Sequence, residues 1–133
     1  MKWTVLSDNR RCDDSLETEH GLSILFETKK HRILLDTGAS DLFIRNATHL
    51  GIDLSTVDYV FISHGHSDHA EGLKHFMEIN DKAKVIVSPD AMSGKFFSKR
   101  GNLHSGRFIP LSVAFIFSMV CKRKKSWQLW LKG

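Results

Sequence analysis

The segment FISHGHSDHAEGL, residues 61–73, decides how this chain is read. Within residues 64–69 it gathers three of the chain's eight histidines and an aspartate. Imidazoles and carboxylates are the usual ligands of Zn²⁺ and also suit Fe and Mn. His64 and His66, two apart in an extended loop, can face one ion together. Asp68 and His69 follow where the chain turns into a helix, and can face a second ion ~3.5–4 Å from the first. Gly65 lets the backbone bend between the first two ligands. Four ligand-type residues spaced His-x-His-x-Asp-His directly after an apolar run make a ligand loop a better explanation than a chance surface cluster.

The run before the loop, VDYVFIS (57–63), is apolar enough for a buried strand, and HAEGLKHFMEIN (69–80) has the apolar period of a helix with Leu73, Phe76, Met77 and Ile79 inward. The loop thus stands at the C-terminal end of a strand, where α/β proteins place their chemistry. Further out, KWTVLS (2–7) reads as a strand, and LSILFET (22–28) and HRILLDT (31–37) as a hairpin turning at Lys29-Lys30. SDLFIRNATHLG reads as a helix capped by Ser40 or Asp41 and stopped by Gly51, and KVIVS (84–88) as a last strand before Pro89. Strands first and strand–helix alternation afterwards predict an α/β fold with helices on a mixed sheet.

A chain of 133 residues makes one domain with a real core. The start, MKWTVLSDNRR, lacks the apolar stretch of a secretory signal. Cys12 and Cys121 form no CxxC pair, which suits a reducing cytoplasm and argues against a disulfide framework or a thiolate metal cage. The net charge of +4 is local: residues 122–133 hold five of the 19 basic residues and no acid, so the basic balance is poor evidence for nucleic-acid binding by the whole protein. Before that tail, only eleven residues separate Pro110 from Lys122, well short of the ~20 that span a bilayer as a helix.

SHGHSDHAEGL resembles the metal-binding signature of the metallo-β-lactamase superfamily. EHGLSILFET, RILLDTG, NATHLGIDLSTVDYVFISHGHSDHAEGLKHF and VIVSPDA are similar to one branch of it, the dihydropterin-ribofuranosylaminobenzene 5′-phosphate synthases. The likeness covers about residues 3–110. It implies that His64 and His66 bind a first metal and Asp68 and His69 a second, with zinc favoured over Fe or Mn. Asp68 would also position the attacking hydroxide. Asp36, in LLDTG, matches the acidic residue that lies beneath the site and orients the histidine loop by hydrogen bonding; as a residue it reads equally well as a strand-end turn aspartate. Asp8, Glu19 and His20 fall in segments that border the site in this branch, and each also reads as an ordinary loop residue. His31, His49 and His75 read as bystanders, and His104 is the sole downstream histidine.

The superfamily fold is an αββα sandwich whose second half supplies a later histidine, a bridging aspartate and a final histidine. This chain corresponds to the first half of that sandwich, a mixed sheet with helices on one face. After RFIP the likeness stops, and no Asp or Glu occurs beyond Asp90. The expected organisation is therefore a partial domain over 1–110 and an apolar, then basic, tail over 111–133. The composition change at about residue 111 suggests the hypothesis of a frameshift or premature stop, with the tail read out of frame. The alternative is a naturally short protein whose apolar tail covers the sheet.

The resemblance implies a metal-dependent hydrolase of an ester or phosphoester acting through a metal-bound hydroxide. With two ligands per ion, one ion or weak binding and little turnover are expected here. The alternative is a non-catalytic remnant or split half that associates through its sheet face, as a homodimer or with a complementing C-terminal half. A nuclease holding RNA through the Lys/Arg/Trp tail ranks last, because the tail looks foreign to the domain.

Overall fold

A computed structural model describes residues 1–11, 13–87, 91, 97–100 and 103–106, the last two stretches as backbone. Five strands, β1 (Lys2–Ser7), β2 (Ser23–Glu27), β3 (Arg32–Leu35), β4 (Tyr59–Ile62) and β5 (Lys84–Val87), form one sheet in the order of the chain. β1–β2 and β2–β3 are antiparallel, whereas β3–β4 and β4–β5 are parallel, so the sheet is mixed. The turn of the β2–β3 hairpin is closed by Thr28, whose Oγ1 accepts from the backbone of Lys30 at 3.2 Å and of His31 at 2.8 Å. Two parallel neighbours need a long crossover. Helix α1 (Leu42–His49) and a short 3₁₀ turn (Leu54–Thr56) supply it between β3 and β4, and helices α2 (Ser67–Ala70) and α3 (Leu73–Ile79) between β4 and β5.

Alternation along each strand sorts the side chains into two faces. On one face Leu25, Leu34, Val60 and Val85 lie side by side across the strands and are buried. They share a core with Phe43 and Ala47 of α1 and Leu73 and Phe76 of α3. The helices therefore cover this face. The other face carries Val5, Ile24, Leu35, Phe61 and Ile86 in one row, and none of them enters the core. The largest core side chains, Phe43 and Phe76, are fully buried. Truncating either to alanine costs about 3–5 kcal/mol.

Two buried amides lace the crossovers to the sheet. Asn46 of α1 donates from Nδ2 to the carbonyls of Leu6 and Glu17 and accepts from Glu17 N–H. Asn80, just after α3, donates to the carbonyls of Leu54, Ser55 and Val57 and accepts from the N–H groups of Lys82 and Ala83. Buried backbone groups must be paired, and these two side chains pair groups that neither helix nor strand reaches.

The sequence reading predicts one helix over 69–80; the structure has two. The break falls at Gly72, whose N–H donates to Gly38 O at 3.1 Å. A Cβ there would stand 2.0 Å from Thr37 O, so only glycine allows the segment to lie this close to the turn after β3. Of the two proposed caps for α1, Ser40 acts: its Oγ accepts from Leu42 N–H at 3.1 Å, while the Asp41 carboxylate pairs with Arg45. A second hairpin, β6 (Phe97–Arg100) with β7 (Leu103–Gly106), was not foreseen, although Gly101-Asn102 between two runs is a hairpin signal. The proposed boundary at 110/111 and the tail lie outside the described residues. Among the described residues, no helix is long and apolar enough to cross a membrane.

Candidate metal centre

β3 and β4 run parallel and in register, Leu35 beside Phe61, so both strands end at the same edge of the sheet. The first residue past β3 is Asp36, and the segment past β4 is the histidine loop. Asp36 N–H donates to Phe61 O at 2.8 Å, and its backbone takes φ 55°. That left-handed conformation is one that aspartate tolerates better than most residues, at on the order of 1 kcal/mol. It turns the buried carboxylate beneath the loop.

Asp36 then organises the loop. Its Oδ1 accepts from Ser63 N–H at 2.7 Å, and its Oδ2 accepts from Ser63 Oγ at 2.7 Å and from His69 Nδ1 at 2.8 Å. Ser63 Oγ also lies 2.8 Å from His64 Nδ1. With its proton committed to Asp36, the hydroxyl accepts there, and His64 carries its proton on Nδ1. His69 does the same. One carboxylate thus leaves Nε2 of both rings unprotonated, that of His64 toward His66 and that of His69 toward Asp68, the tautomer a metal ligand needs.

The donor atoms converge in pairs. His64 Nε2 and His66 Nδ1 are 3.1 Å apart, and Asp68 Oδ2 and His69 Nε2 are 3.7 Å apart. Two donors to one tetrahedral zinc at ~2.0–2.1 Å are about 3.3 Å apart. The rings of His64 and His69 have centroids 4.1 Å apart, which places the two pairs side by side. The residues therefore fit a divalent cation by chemistry, tautomer and spacing. Among the described residues, no group of three His, Cys, Asp or Glu side chains closes round one ion.

Protonation follows the same division. Burial lowers the pKa of His64, helped by the neighbouring His69 and His66. The hydrogen bond to Asp36 raises that of His69.

Backbone bonds hold the loop from the other side. Thr37 N–H donates to His69 O at 2.8 Å, and Leu22 N–H to Asp68 O at 3.2 Å. His20, beside that strap, brings Nε2 to 3.3 Å from Asp68 Oδ2. Glu19 turns elsewhere: its carboxylate accepts from Ala39 N–H at 3.1 Å and from Ser40 Oγ at 2.6 Å, tying the loop before β2 to the turn before α1. Asp8 accepts from its neighbour Asn9. His31 stacks edge-on with Tyr59, His49 ends α1, and His75 pairs with Glu78 on α3. His104 lies in β7 opposite Lys99, and its side chain is outside the described residues. The residue that sequence reasoning passed over is Ser63. Its signal was its place, between an apolar strand and the first ligand.

A mixed sheet with helices on one face and a histidine loop at a strand end, held by a carboxylate from the neighbouring strand, defines an α/β fold with a candidate metal loop. The model of the metallo-beta-lactamase superfamily matches residues 16–116, more than half of the sequence, and the chain belongs to that superfamily. An uncharacterized protein of Methanocaldococcus jannaschii is 39% identical over 84 residues, 62% of this chain and 32% of that protein. From the same organism, 7,8-dihydropterin-6-methyl-4-(beta-D-ribofuranosyl)-aminobenzene-5'-phosphate synthase is 31% identical over 100 residues, 71% of this chain and 34% of the synthase. Among solved structures, a metal-dependent hydrolase of the beta-lactamase superfamily aligns with a TM-score of 0.56 and 36% identity over 78% of this chain and 35% of its own. The Rm3 metallo-beta-lactamase aligns with a TM-score of 0.52 and 26% identity, over 71% and 38% respectively. The chain spans about a third of the length of the curated relatives it matches.

Proposed function

We propose that this chain carries the first half of a metal-dependent hydrolase site acting on an ester or phosphoester. His64 and His66 hold one ion and Asp68 and His69 a second, with zinc favoured over Fe or Mn. The observation that carries the reading is the Asp36 network, which fixes the metal-binding tautomer of both His64 and His69. A bound divalent ion would supply Lewis acidity and lower the pKa of water toward ~7. The chain's own part is positional. Asp36 and Ser63 hold the two imidazoles, and the strap at Leu22 fixes the backbone of Asp68. The Asp68 carboxylate faces the same space as His69 and can accept a hydrogen bond from an attacking water there. Similarity to a 5'-phosphate synthase supports a phosphate-bearing substrate.

Two ligands per ion are fewer than the three or four of firm sites. The expected behaviour is therefore one ion or weak binding, with little turnover. Equilibrium dialysis with elemental analysis, beside an assay on a generic phosphodiester, tests this. Loss of the bound ion in His64→Ala and His66→Ala supports the reading. No binding by the unsubstituted chain sinks it, and two tight ions with clear turnover refute the expected weakness.

A second reading is favoured by the outer sheet face. Val5, Ile24, Leu35, Phe61 and Ile86 form an apolar row outside the core, flanked by Trp3, which is 61% exposed. Such a row suits association with a second copy or a complementing C-terminal half. Sedimentation of the chain alone separates a homodimer from a monomer.

A further inference from the structure

We propose that Glu19 is a positioning residue of the candidate metal centre, acting through the turn after β3 on Asp36 and so on His69. The inference rests on the metal-dependent reading above and extends it to a residue outside both the ligand loop and the Asp36–Ser63 pair.

The turn at residues 36–40 needs holding. Asp36 takes φ 55° and Gly38 φ 69°, so the turn contains two left-handed residues. In a residue other than glycine that conformation persists only where the surroundings over-determine it. For Asp36 it is also what brings the carboxylate to Ser63 and His69.

The first three residues of the turn are pinned mainly through the backbone. Asp36 N–H donates to Phe61 O and Thr37 N–H to His69 O, both at 2.8 Å, and Gly38 N–H to Leu22 O at 2.9 Å. Ser23 Oγ donates to Asp36 O at 3.0 Å. For the last two residues the acceptor is Glu19. Its Oε1 accepts from Ala39 N–H at 3.1 Å, and its Oε2 from Ser40 Oγ at 2.6 Å. Ser7 Oγ, at the end of β1, donates to Oε1 at 3.4 Å. The same Oε1 would stand 2.6 Å from a Cβ on Gly38, so the carboxylate packs directly on the glycine of the turn.

Two further bonds leave the turn from residues that Glu19 touches. Gly38 O accepts from Gly72 N–H at the break between α2 and α3, and Ser40 Oγ accepts from Leu42 N–H at the start of α1. One carboxylate thus fixes the far end of a turn whose near end is Asp36. Without it Ala39 N–H loses its acceptor, and Asp36 is free to relax toward ordinary backbone angles, away from His69 Nδ1.

The test uses the whole metal-free chain and three variants, Glu19→Ala, Glu19→Gln and Asn80→Ala. The first readout is solvent exchange of the His69 Nδ1–H proton by NMR, before any metal is added. The second is Co²⁺ affinity by visible absorption. In Glu19→Ala the proton is expected to exchange roughly tenfold faster and Co²⁺ to bind about tenfold more weakly. Glu19→Gln keeps an oxygen for Ala39 N–H and recovers most of both. Asn80→Ala, which breaks the lacing between α3 and the 3₁₀ turn, lowers the urea midpoint and leaves both readouts unchanged. If Glu19→Ala does not fold, Glu19→Asp, with a carboxylate too short to reach Ser40, takes its place with the same expectation. Both readouts unchanged in the folded variant, or both changes reproduced by Asn80→Ala, overturn the positioning role and leave the metal reading standing. No Co²⁺ binding by the unsubstituted chain overturns the metal reading, and the exchange of the His69 proton then decides the action of Glu19 on that ring.

Discussion

His69 Nδ1 donates to Asp36 Oδ2 at 2.8 Å, joining residues 33 apart in sequence, and the same oxygen accepts from Ser63 Oγ at 2.7 Å. Asp36 is buried, so these bonds form where water does not compete. Asp36→Asn keeps the shape but puts an amide where an acceptor was needed. It is expected to destabilise the fold by about 1.5–3 kcal/mol, the range for hydrogen bonds to a charged group. It also frees His64 and His69 to take the wrong tautomer, so metal affinity should fall roughly 10–100-fold, as for other residues that orient ligands. Urea denaturation and metal titration read the two effects separately. Unchanged metal affinity in a folded variant would show that Asp36 supports the fold and not the ligands.

The same contact gives the metal-free chain a defined response to pH. The Asp36 hydrogen bond raises the His69 pKa above its usual 6.5, so the folded chain holds that proton more tightly than the unfolded chain. The resulting stability is fully present below pH 6.5 and is lost as pH rises through the raised value. His64 has the opposite sign: burial depresses its pKa below 6.5, and its contribution is present above pH 6.5 and lost as pH falls through the lowered value. Of these two contributions, the one lost as pH rises above 6.5 is that of His69. The urea midpoint should therefore fall with rising pH, and His69→Gln should remove that fall. A His69→Gln midpoint that tracks the unsubstituted chain over this range would refute the linkage.

Gly72 separates α2 from α3 because backbone approaches backbone there. An alanine Cβ would lie 2.0 Å from Thr37 O and 2.6 Å from Ser40 O. Neither is the end of a flexible side chain, so the turn after β3 has to move. Gly72→Ala is expected to cost about 1–3 kcal/mol as overpacking. The same shift should pull Thr37 away from His69 O and loosen the metal loop. Thermal unfolding and amide exchange at Thr37 check the two parts. Gly51→Ala is the control, since nothing lies within 4 Å of its Cβ position. Its cost should be confined to the left-handed backbone at φ 68°.

What sequence could and could not show follows from the range of each interaction. The five strands, α1 and the ligand loop rest on local patterns: alternation, a 3.6-residue period, a cap and a spacing. All are visible within a dozen residues. The break at Gly72 depends on Thr37 and Ser40, the role of Ser63 on Asp36, and the place of His20 on Asp68. Each partner is between 27 and 48 positions away, and no local window contains it. Asp36 itself was legible only through family likeness, because its left-handed backbone and its neighbour Ser63 are set by the β3–β4 register.

That register also sets the last prediction. Leu35, Phe61 and Ile86 are neighbours across β3, β4 and β5 on the face opposite the helices. Phe61 is 38% exposed, and the row lies outside the core. Phe61→Glu removes one aromatic cross-strand contact, so the fold should lose about 0.2–1 kcal/mol. It also places a charge in the middle of the apolar row. If this face binds a second copy of the chain, Phe61→Glu should be monomeric at concentrations where the unsubstituted chain sediments as a dimer. Lys84→Glu, on the same face and already polar, should leave association nearly unchanged. A dimer that persists in Phe61→Glu, with the fold intact by circular dichroism, would place the contact on another surface.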